Sequence, residues 1–205
     1  MKKVILFLSL IVLGIIISSF SKDTKNSKIN FNTTTSVAYV PTEEEAALQD
    51  FNIPFIGNKF VGFREALAFK ESQGRYEIIN TLGYLGKYQF GKSTLSRFKI
   101  YDTHSFLRNP ELQEDAFLAL CSLNKWILRK DIKRSVGKNI HGIEITESGI
   151  IAAAHLAGAG NVKKFLRSKG AFTFEDAYGS SVRHYLKEFS GYDTSFIKAK
   201  RKPVL

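Results

Sequence analysis

The sequence has few of the residues that build disulfide or metal scaffolds. Its 205 residues include one cysteine, Cys121, and four histidines. A single cysteine excludes an intrachain disulfide and a cysteine-rich metal site. The histidines form no His-Glu-x-x-His pattern, so we expect neither a zinc hydrolase of that kind nor any other metal or cofactor. Cys121 lies in the apolar run 116–123 and is predicted to be a small, buried core residue.

Acidic residues are also in deficit. The chain has 30 Lys and Arg against 19 Asp and Glu, which gives a net charge of +11. Such an excess attracts nucleic acid, anionic lipid or an anionic cell wall. The basic residues are dispersed, with denser stretches at 125–138 and 198–202 that are typical of solvated faces and tails. We therefore do not expect nucleic acid as the natural partner.

The longest hydrophobic run lies at the N-terminus. Residues 4–17 are apolar, follow two lysines and precede the small residues Ser19 and Ser21. This pattern is typical of a secretory signal peptide, residues 1–21, cleaved after Ser21. The run is slightly short for a membrane span, and an uncleaved anchor is the alternative. We favour cleavage and export to the periplasm, the cell envelope or the medium, with a membrane as partner only if the segment is retained.

The rest of the chain divides by composition. Residues 22–50 are rich in Lys, Asn and Thr without sustained periodicity, and they are predicted to be a flexible polar tether. Residues 51–195 form the predicted domain, and residues 196–205 a basic tail.

The first strong helical pattern, residues 60–72, ends in a carboxylate. Its apolar stripe is about 80° wide at 100° per residue and consists of Phe60, Phe63, Leu67 and finally Glu71. Burial disfavours the charged form of a carboxyl group and raises its pKa, as a general acid requires near neutral pH. The alternative is a frayed last turn that leaves Glu71 in solvent.

Two later segments have unusual composition. Residues 74–91 are rich in aromatics and glycine, with β-prone pieces at 76–79 and 87–90, which indicates a short hairpin or an irregular two-stranded lobe. Residues 150–160 are predicted to be a helix of very small residues that closes on two glycines. Small side chains let another backbone or a ligand come close.

Four short motifs occur in these segments and near the C-terminus. They are Glu71-Ser72-Gln73-Gly74, Gly86-Lys87-Tyr88-Gln89, Ala154-His155-Leu156-Ala157-Gly158 and Ser181-Val182-Arg183-His184-Tyr185-Leu186. In this order they resemble the Glu-Ser-x-Gly, Gly-Leu-Met-Gln and Ala-Tyr-Asn-Ala-Gly motifs and the late tyrosine of the lytic transglycosylase and goose-type lysozyme superfamily, which cleaves bacterial peptidoglycan. The resemblance covers residues 58–192.

The resemblance implies roles for individual residues. Glu71 would be the catalytic acid, and Tyr185 would hydrogen-bond it. The residues implied in holding the sugar chain are Ser72, Tyr88, Gln89, Gly158 and Tyr185. The expected partner is the glycan strand of peptidoglycan, whose stem carboxylates would also attract an exported basic domain.

The chain departs from the family pattern at three places. His155 stands at the usual tyrosine and is expected to be a packed core histidine. Leu156 stands where the family has an asparagine that helps to hold the substrate. Lys87 and Tyr88 replace an apolar pair.

The resemblance also implies a mechanism. Glu71 would protonate the oxygen between N-acetylmuramic acid and N-acetylglucosamine, and bond cleavage would pass through an oxocarbenium-like transition state. Between Glu71 and Gln89 the only carboxylate is Glu77, which is expected on the wet face of a strand. We therefore favour a transglycosylase, whose single Glu closes a 1,6-anhydro ring, over a goose-type lysozyme. Two further classes compete with these enzymes: an inactive wall-binding module, and an exported adhesion or nucleic-acid-binding protein.

Helical periodicity dominates the remaining sequence. Asn109 and Pro110 predict the start of a long helix that runs to about residue 130, followed later by helices at 161–168 and 181–189. The predicted core stripe of the long helix is Leu112, Ala116, Leu120, Leu123 and Ile127. Thr146 or Ser148 can cap the small-residue helix. The predicted fold is mainly α (α+β, lysozyme-like), a helical domain with a small β-hairpin lobe and a substrate cleft.

Overall fold

The computed structural model describes residues 57–205. The predicted signal peptide, the tether and the first residues of the predicted domain lie outside this range. Among the described residues, no helix is both long and apolar enough to cross a membrane.

Six helices and a two-stranded sheet occur between residues 57 and 205. The helices are α1 (Phe60–Ser72), α2 (Lys92–Arg97), α3 (Thr103–Leu107), α4 (Pro110–Ser135), α5 (Glu147–Arg167) and α6 (Val182–Glu188). The strands β1 (Asn139–Ile140) and β2 (Ile143–Glu144) pair antiparallel. More than half of the described residues are helical, which confirms the mainly α class.

Helix α4 runs through the core of the described domain. Asn109 caps it by accepting a hydrogen bond from the backbone N–H of Leu112 at 3.0 Å, and the helix continues past the predicted end to Ser135. Cys121 on this helix is buried, as predicted. Because α4 buries more than one face, Gln113 is also fully buried and hydrogen-bonds to the backbone of its neighbours.

The core stripe predicted for α4 is correct only in part. Ala116 and Leu123 are buried, whereas the other predicted members are half-buried: Leu112, Leu120 and Ile127. Phe117 and Leu128 take the deepest positions instead.

Helix α5 brings small residues against its neighbours. Thr146 caps it by accepting a hydrogen bond from the Gly149 N–H at 3.2 Å. A Cβ at Gly149 would lie 2.6 Å from the Leu186 carbonyl oxygen of α6, so only glycine permits this contact. Two helices were predicted across this region; the structure has one, with a kink at Gly158 (φ 75°, ψ 150°).

The lobe between α1 and α2 is irregular. The β-prone pieces form isolated antiparallel bridges, Ile79 with Leu85 and Leu85 with Phe90, rather than strands. The two-stranded sheet lies at 139–144, where no strand was predicted. Strands of two residues are too short to produce an alternating pattern in the sequence.

The domain boundary at residue 195 is corrected by the packing of the following residues. Phe196 stacks on Phe60 with ring centroids 5.0 Å apart, and Ile197 is buried in the core. The Lys200 N–H donates a hydrogen bond to the Ser122 carbonyl of α4 at 3.1 Å. The start of the predicted basic tail therefore belongs to the domain.

Candidate functional site

Glu71 lies on the wall of a cavity of about 550 Å³, which we call the Glu71 cavity. The end of α1, the lobe, the middle of α5, the segment 174–180 and α6 all contribute to its lining. A larger cavity of about 1160 Å³ includes Gly158, and we call it the Gly158 cavity. The two cavities are contiguous because they share lining residues: Leu82, Tyr84, Gln89, His155, Leu156 and Phe174.

The Glu71 side chain is largely buried and is held by α6. Only 15% of it is exposed, and its Oε1 accepts a hydrogen bond of 2.9 Å from the Tyr185 hydroxyl. Ser181 begins α6 by accepting a hydrogen bond from the His184 N–H, and this places Tyr185 in the first turns of that helix. The structure therefore brings the first and last sequence motifs together.

The surroundings of Glu71 favour its protonated form. Burial is the largest influence and raises the pKa of the carboxyl above its ordinary value of 4.5. The nearby His155 and the hydrogen bond from Tyr185 act in the opposite direction, but they do not cancel it. Burial and the adjacent Glu71 also raise the pKa of Tyr185, so its hydroxyl keeps the proton that it donates.

His155 lies beside the acid. Its side chain is 5% exposed, and Nε2 is 2.8 Å from the Tyr88 carbonyl oxygen and 4.0 Å from Oε1 of Glu71. A carbonyl only accepts hydrogen bonds, so Nε2 carries the hydrogen in that contact. Among the described residues, Nδ1 has no hydrogen-bond partner. His155 is thus packed, as expected, but its contact with Glu71 was not foreseen.

Two predicted substrate contacts are corrected by the packing. Ser72 is buried, and its hydroxyl donates to the Lys87 carbonyl at 2.8 Å, which ties α1 to the lobe. Tyr88 is fully buried, stacks on Phe117 at 4.1 Å and donates from its hydroxyl to Glu114 at 2.6 Å. Neither side chain lines the two cavities, because both are used to hold the lobe on the helices.

Gln89 and Gly158 lie at the cavities, where a substrate contact was predicted for them. Gln89 lines both cavities, and its Nε2 donates to the Gly86 carbonyl at 2.8 Å. Its Oε1 is buried without a hydrogen-bond partner in the described part of the chain. Gly158 lines the Gly158 cavity at the kink of α5.

The unusual lysine of the second motif belongs to a partly buried ionic group, which we call the Lys87 cluster: Arg64, Glu65, Tyr76, Lys87, Tyr88 and Glu114. The Lys87 side chain is 5% exposed, and its Nζ lies 3.0 Å from Glu65 and 2.8 Å from Glu114. Burial would raise the pKa of Glu114, but hydrogen bonds from Lys87, Tyr88 and Tyr76 hold it below its ordinary value. The cluster joins the lobe to α1 and α4 and does not line the Glu71 cavity.

Two acidic residues at the Glu71 cavity were missed in the sequence. Glu175 and Asp176 line it from the segment before α6. Oδ1 of Asp176 accepts hydrogen bonds from the backbone N–H groups of Tyr178 and Ser180, and Glu175 is exposed. Glu77 is exposed in a turn outside both cavities. The available signal was the Asp-Ala-Tyr-Gly turn beginning at Asp176, which lies far from Glu71 in sequence.

Residues 57–205 contain no group of three or more His, Cys, Asp or Glu side chains that could hold a metal ion. No match to this chain was found among protein-family models, curated proteins or solved structures. The geometry of the Glu71 cavity is therefore the main basis for a functional proposal.

Proposed function

We propose that this protein is a peptidoglycan lytic transglycosylase with a lysozyme-like fold, in which Glu71 is the catalytic acid. The observation that carries the proposal is the setting of Glu71. A largely buried carboxyl with a raised pKa lies on a cavity wall, and the Tyr185 hydroxyl orients it. The four motifs that resemble the lytic transglycosylases support this assignment.

The chemistry uses one carboxyl group twice. Protonated Glu71 gives its proton to the glycosidic oxygen as the bond to C1 of N-acetylmuramic acid breaks, through an oxocarbenium-like transition state. The resulting carboxylate takes the proton of the sugar's own 6-hydroxyl, and O6 bonds to C1. The products are a 1,6-anhydro end and a free 4-hydroxyl on N-acetylglucosamine. Glu71 regains its proton and no water is consumed.

The position of Tyr185 suits both steps. Its hydroxyl donates to Oε1 of Glu71, which fixes the carboxyl and leaves Oε2 for the substrate. Burial raises the pKa of Glu71 and this hydrogen bond lowers it, with burial the larger influence, which favours a carboxyl that can act as an acid in the first step. Gln89 is proposed to contact sugar hydroxyl or acetamido groups from the cavity wall.

Hydrolysis of the goose-type lysozyme kind is the second candidate. It is favoured by Glu175 and Asp176, which bring further carboxylates to the Glu71 cavity. An inverting hydrolase needs such a group to activate water across the sugar ring. Asp176 uses one oxygen for its own turn, which leaves the other for that role.

The mass of the products decides between the two candidates. We expect purified protein to release muropeptides from bacterial sacculi that are one water lighter than those released by a lysozyme. Glu71→Gln should release none, and Asp176→Asn should keep the lighter products. Products of hydrolysed mass that disappear in Asp176→Asn would establish the hydrolase. A folded wild-type protein that binds sacculi and releases nothing would establish a wall-binding module instead.

A further inference from the structure

Two loops at the Glu71 cavity share one construction. The first is residues 80–84, which we call the Asn80 loop. The Asn80 N–H donates to the Tyr84 carbonyl at 3.1 Å, and the Asn80 carbonyl accepts from the Gly83 N–H at 3.0 Å. Oδ1 of Asn80 accepts from the N–H groups of Leu82 and Tyr84 at 2.9 and 3.0 Å. The polar side chain at the first position thus fills the inside of the turn.

Residues 176–180, the Asp176 loop, repeat this pattern position by position. The Asp176 N–H donates to the Ser180 carbonyl at 2.9 Å, and the Asp176 carbonyl accepts from the Gly179 N–H at 3.1 Å. Oδ1 of Asp176 accepts from the N–H groups of Tyr178 and Ser180 at 2.9 and 2.7 Å. The fourth residue of each loop is a glycine, with φ of 80° and 81° respectively.

Both loops are braced at their bases. An antiparallel bridge joins Ile79 to Leu85 below the Asn80 loop, and another joins Glu175 to Ser181 below the Asp176 loop. Internal hydrogen bonds and these bridges hold each loop without help from the other. The loops are therefore built as short, stiff projections rather than as mobile segments.

The tips of the two loops meet. Oγ1 of Thr81 and the Tyr178 hydroxyl are 2.6 Å apart, although the residues are 97 positions apart in the chain. Residues from both loops line the Glu71 cavity, and Tyr178 itself is 59% exposed at its rim. The Thr81–Tyr178 contact therefore joins the lobe to the segment before α6, and both of these segments line the Glu71 cavity.

The two contiguous cavities differ in size. Toward Gly158, the Glu71 cavity opens into a space of about 1160 Å³. The Glu71 cavity itself, at about 550 Å³, has a size typical of a pocket for a small molecule. The Asp176 loop lines the Glu71 cavity but not the Gly158 cavity, so the Thr81–Tyr178 contact lies at the smaller of the two spaces.

We infer that the joined Asn80 and Asp176 loops restrict this enzyme to the ends of glycan strands. The inference rests on the proposed function and adds to it the mode of attack. The strand lies along the Gly158 cavity, its terminal sugars occupy the Glu71 cavity, and each cleavage releases a short anhydro product. Cleavage inside a strand requires the Thr81–Tyr178 contact to open.

The test follows product length on long glycan strands freed of their stem peptides. Wild-type protein should release disaccharide-sized products from the first time points, without a pool of intermediate lengths. Strands cut beforehand with a lysozyme contain more ends at equal mass, and they should be degraded faster in proportion to the number of ends.

Two variants remove the contact and leave each loop's own hydrogen bonds in place. Tyr178→Phe and Thr81→Val should raise the fraction of intermediate-length products by about two- to tenfold, because one exposed hydrogen bond is lost. Tyr101→Phe is the matched control, since Tyr101 is exposed and lines neither cavity. It should give the wild-type profile.

Intermediate lengths among the first wild-type products would overturn the inference while leaving the proposed function intact. Unchanged profiles in both folded variants would also overturn it, because the contact would then not set the mode of attack. No cleavage of any strand by folded wild-type protein would overturn the proposed function itself, and this inference with it.

Discussion

Helix α1 places two glutamates in opposite electrostatic surroundings. Glu65, in the middle of the helix, contacts the ammonium group of Lys87 and the guanidinium group of Arg64, each at 3.0 Å. Glu71, in the last turn, accepts a hydrogen bond from the neutral hydroxyl of Tyr185 and lies 4.0 Å from His155. The same residue type on the same helix thus belongs to an ionic cluster in the middle of the helix and to a cavity wall in its last turn.

The two surroundings move carboxyl pKa values in opposite directions. In the Lys87 cluster, hydrogen bonds from Lys87, Tyr88 and Tyr76 together outweigh burial and lower the pKa of Glu114. At the Glu71 cavity, burial prevails and raises the pKa of Glu71. The carboxyl that receives a cationic donor besides neutral ones thus has a lowered pKa, whereas the one whose only side-chain donor within residues 57–205 is a neutral hydroxyl keeps a raised pKa.

The largest expected effect is a difference in cleavage rate between variants of Glu71 and of Glu65. Glu71→Gln should lower the rate of sacculus cleavage by about 10²- to 10⁴-fold, the usual contribution of a general acid. Glu65→Gln should keep the wild-type rate per folded molecule, because Glu65 does not line the cavity. Turbidity of a sacculus suspension measures both rates. Equal losses in the two variants, or an unfolded Glu71→Gln protein, would remove Glu71 from the role of acid.

For stability, we expect the larger loss from a substitution in the Lys87 cluster than from one at the Glu71 cavity. Lys87→Met removes the buried cation between Glu65 and Glu114 and leaves them with the partly exposed Arg64, so we expect a loss of about 3 kcal/mol in the free energy of unfolding. Urea denaturation checks this value. Lys133→Met, at an exposed position of the same α4 that carries Glu114, should change little. A loss of unfolding free energy no larger than that of the control would mean that the cluster does not stabilise the fold.

The dependence of stability on pH should have opposite signs for the two carboxyls. Glu71 has a raised folded-state pKa, so its favourable contribution is present below 4.5 and is lost as pH rises through the folded-state value. Glu114 has a lowered pKa, so its contribution is present above 4.5 and is lost as pH falls.

Denaturation of wild type, Glu71→Gln and Glu114→Gln from about pH 3 to about pH 7 tests these signs. As pH rises, wild type should lose stability relative to Glu71→Gln and gain stability relative to Glu114→Gln. At neutral pH, Glu71→Gln should be no less stable than wild type. If the difference in stability from wild type changed with pH in the same direction for both variants, the contrast between the regions would be contradicted.

The smallest effect concerns the donor to Glu71. Tyr185→Phe removes a hydrogen bond that lowers the pKa of Glu71, so the pH at which activity declines on the alkaline side should move upward. The loss of stability should be about 1 kcal/mol, typical for one hydrogen bond. A pH–rate profile provides the readout, and an unshifted alkaline limb would show that Tyr185 has only a structural role.

Local signals in the sequence were sufficient for several elements. Phe60–Ser72 was predicted at its observed bounds because its apolar stripe and the following glycine are both local features. The Asn109 cap and the contact between Glu71 and Tyr185 follow from short motifs. Such features depend on residues close in the chain or on a pattern that a resemblance supplies.

The parts that were wrong depend on tertiary packing. Tyr88 was assigned to the substrate, but a stack on Phe117 and a bond to Glu114 bury it, and neither partner lies near it in sequence. Lys87 lies in the lobe and is held by acidic partners on α1 and α4, which no local pattern connects to it. Asp176 was missed because its loop reaches the Glu71 cavity from the far end of the chain.

The burial of Cys121 has a practical consequence for all these variants. Its thiol is the only one in the sequence, it is fully enclosed by the core around α4, and burial raises its pKa. A thiol reagent can modify the sulfur only when that core opens, because the reactive thiolate needs solvent. With reagent in excess and fast reclosing, the modification rate reports the equilibrium of opening in native buffer. Each variant therefore carries a built-in reporter of its own unfolding, with no label to engineer.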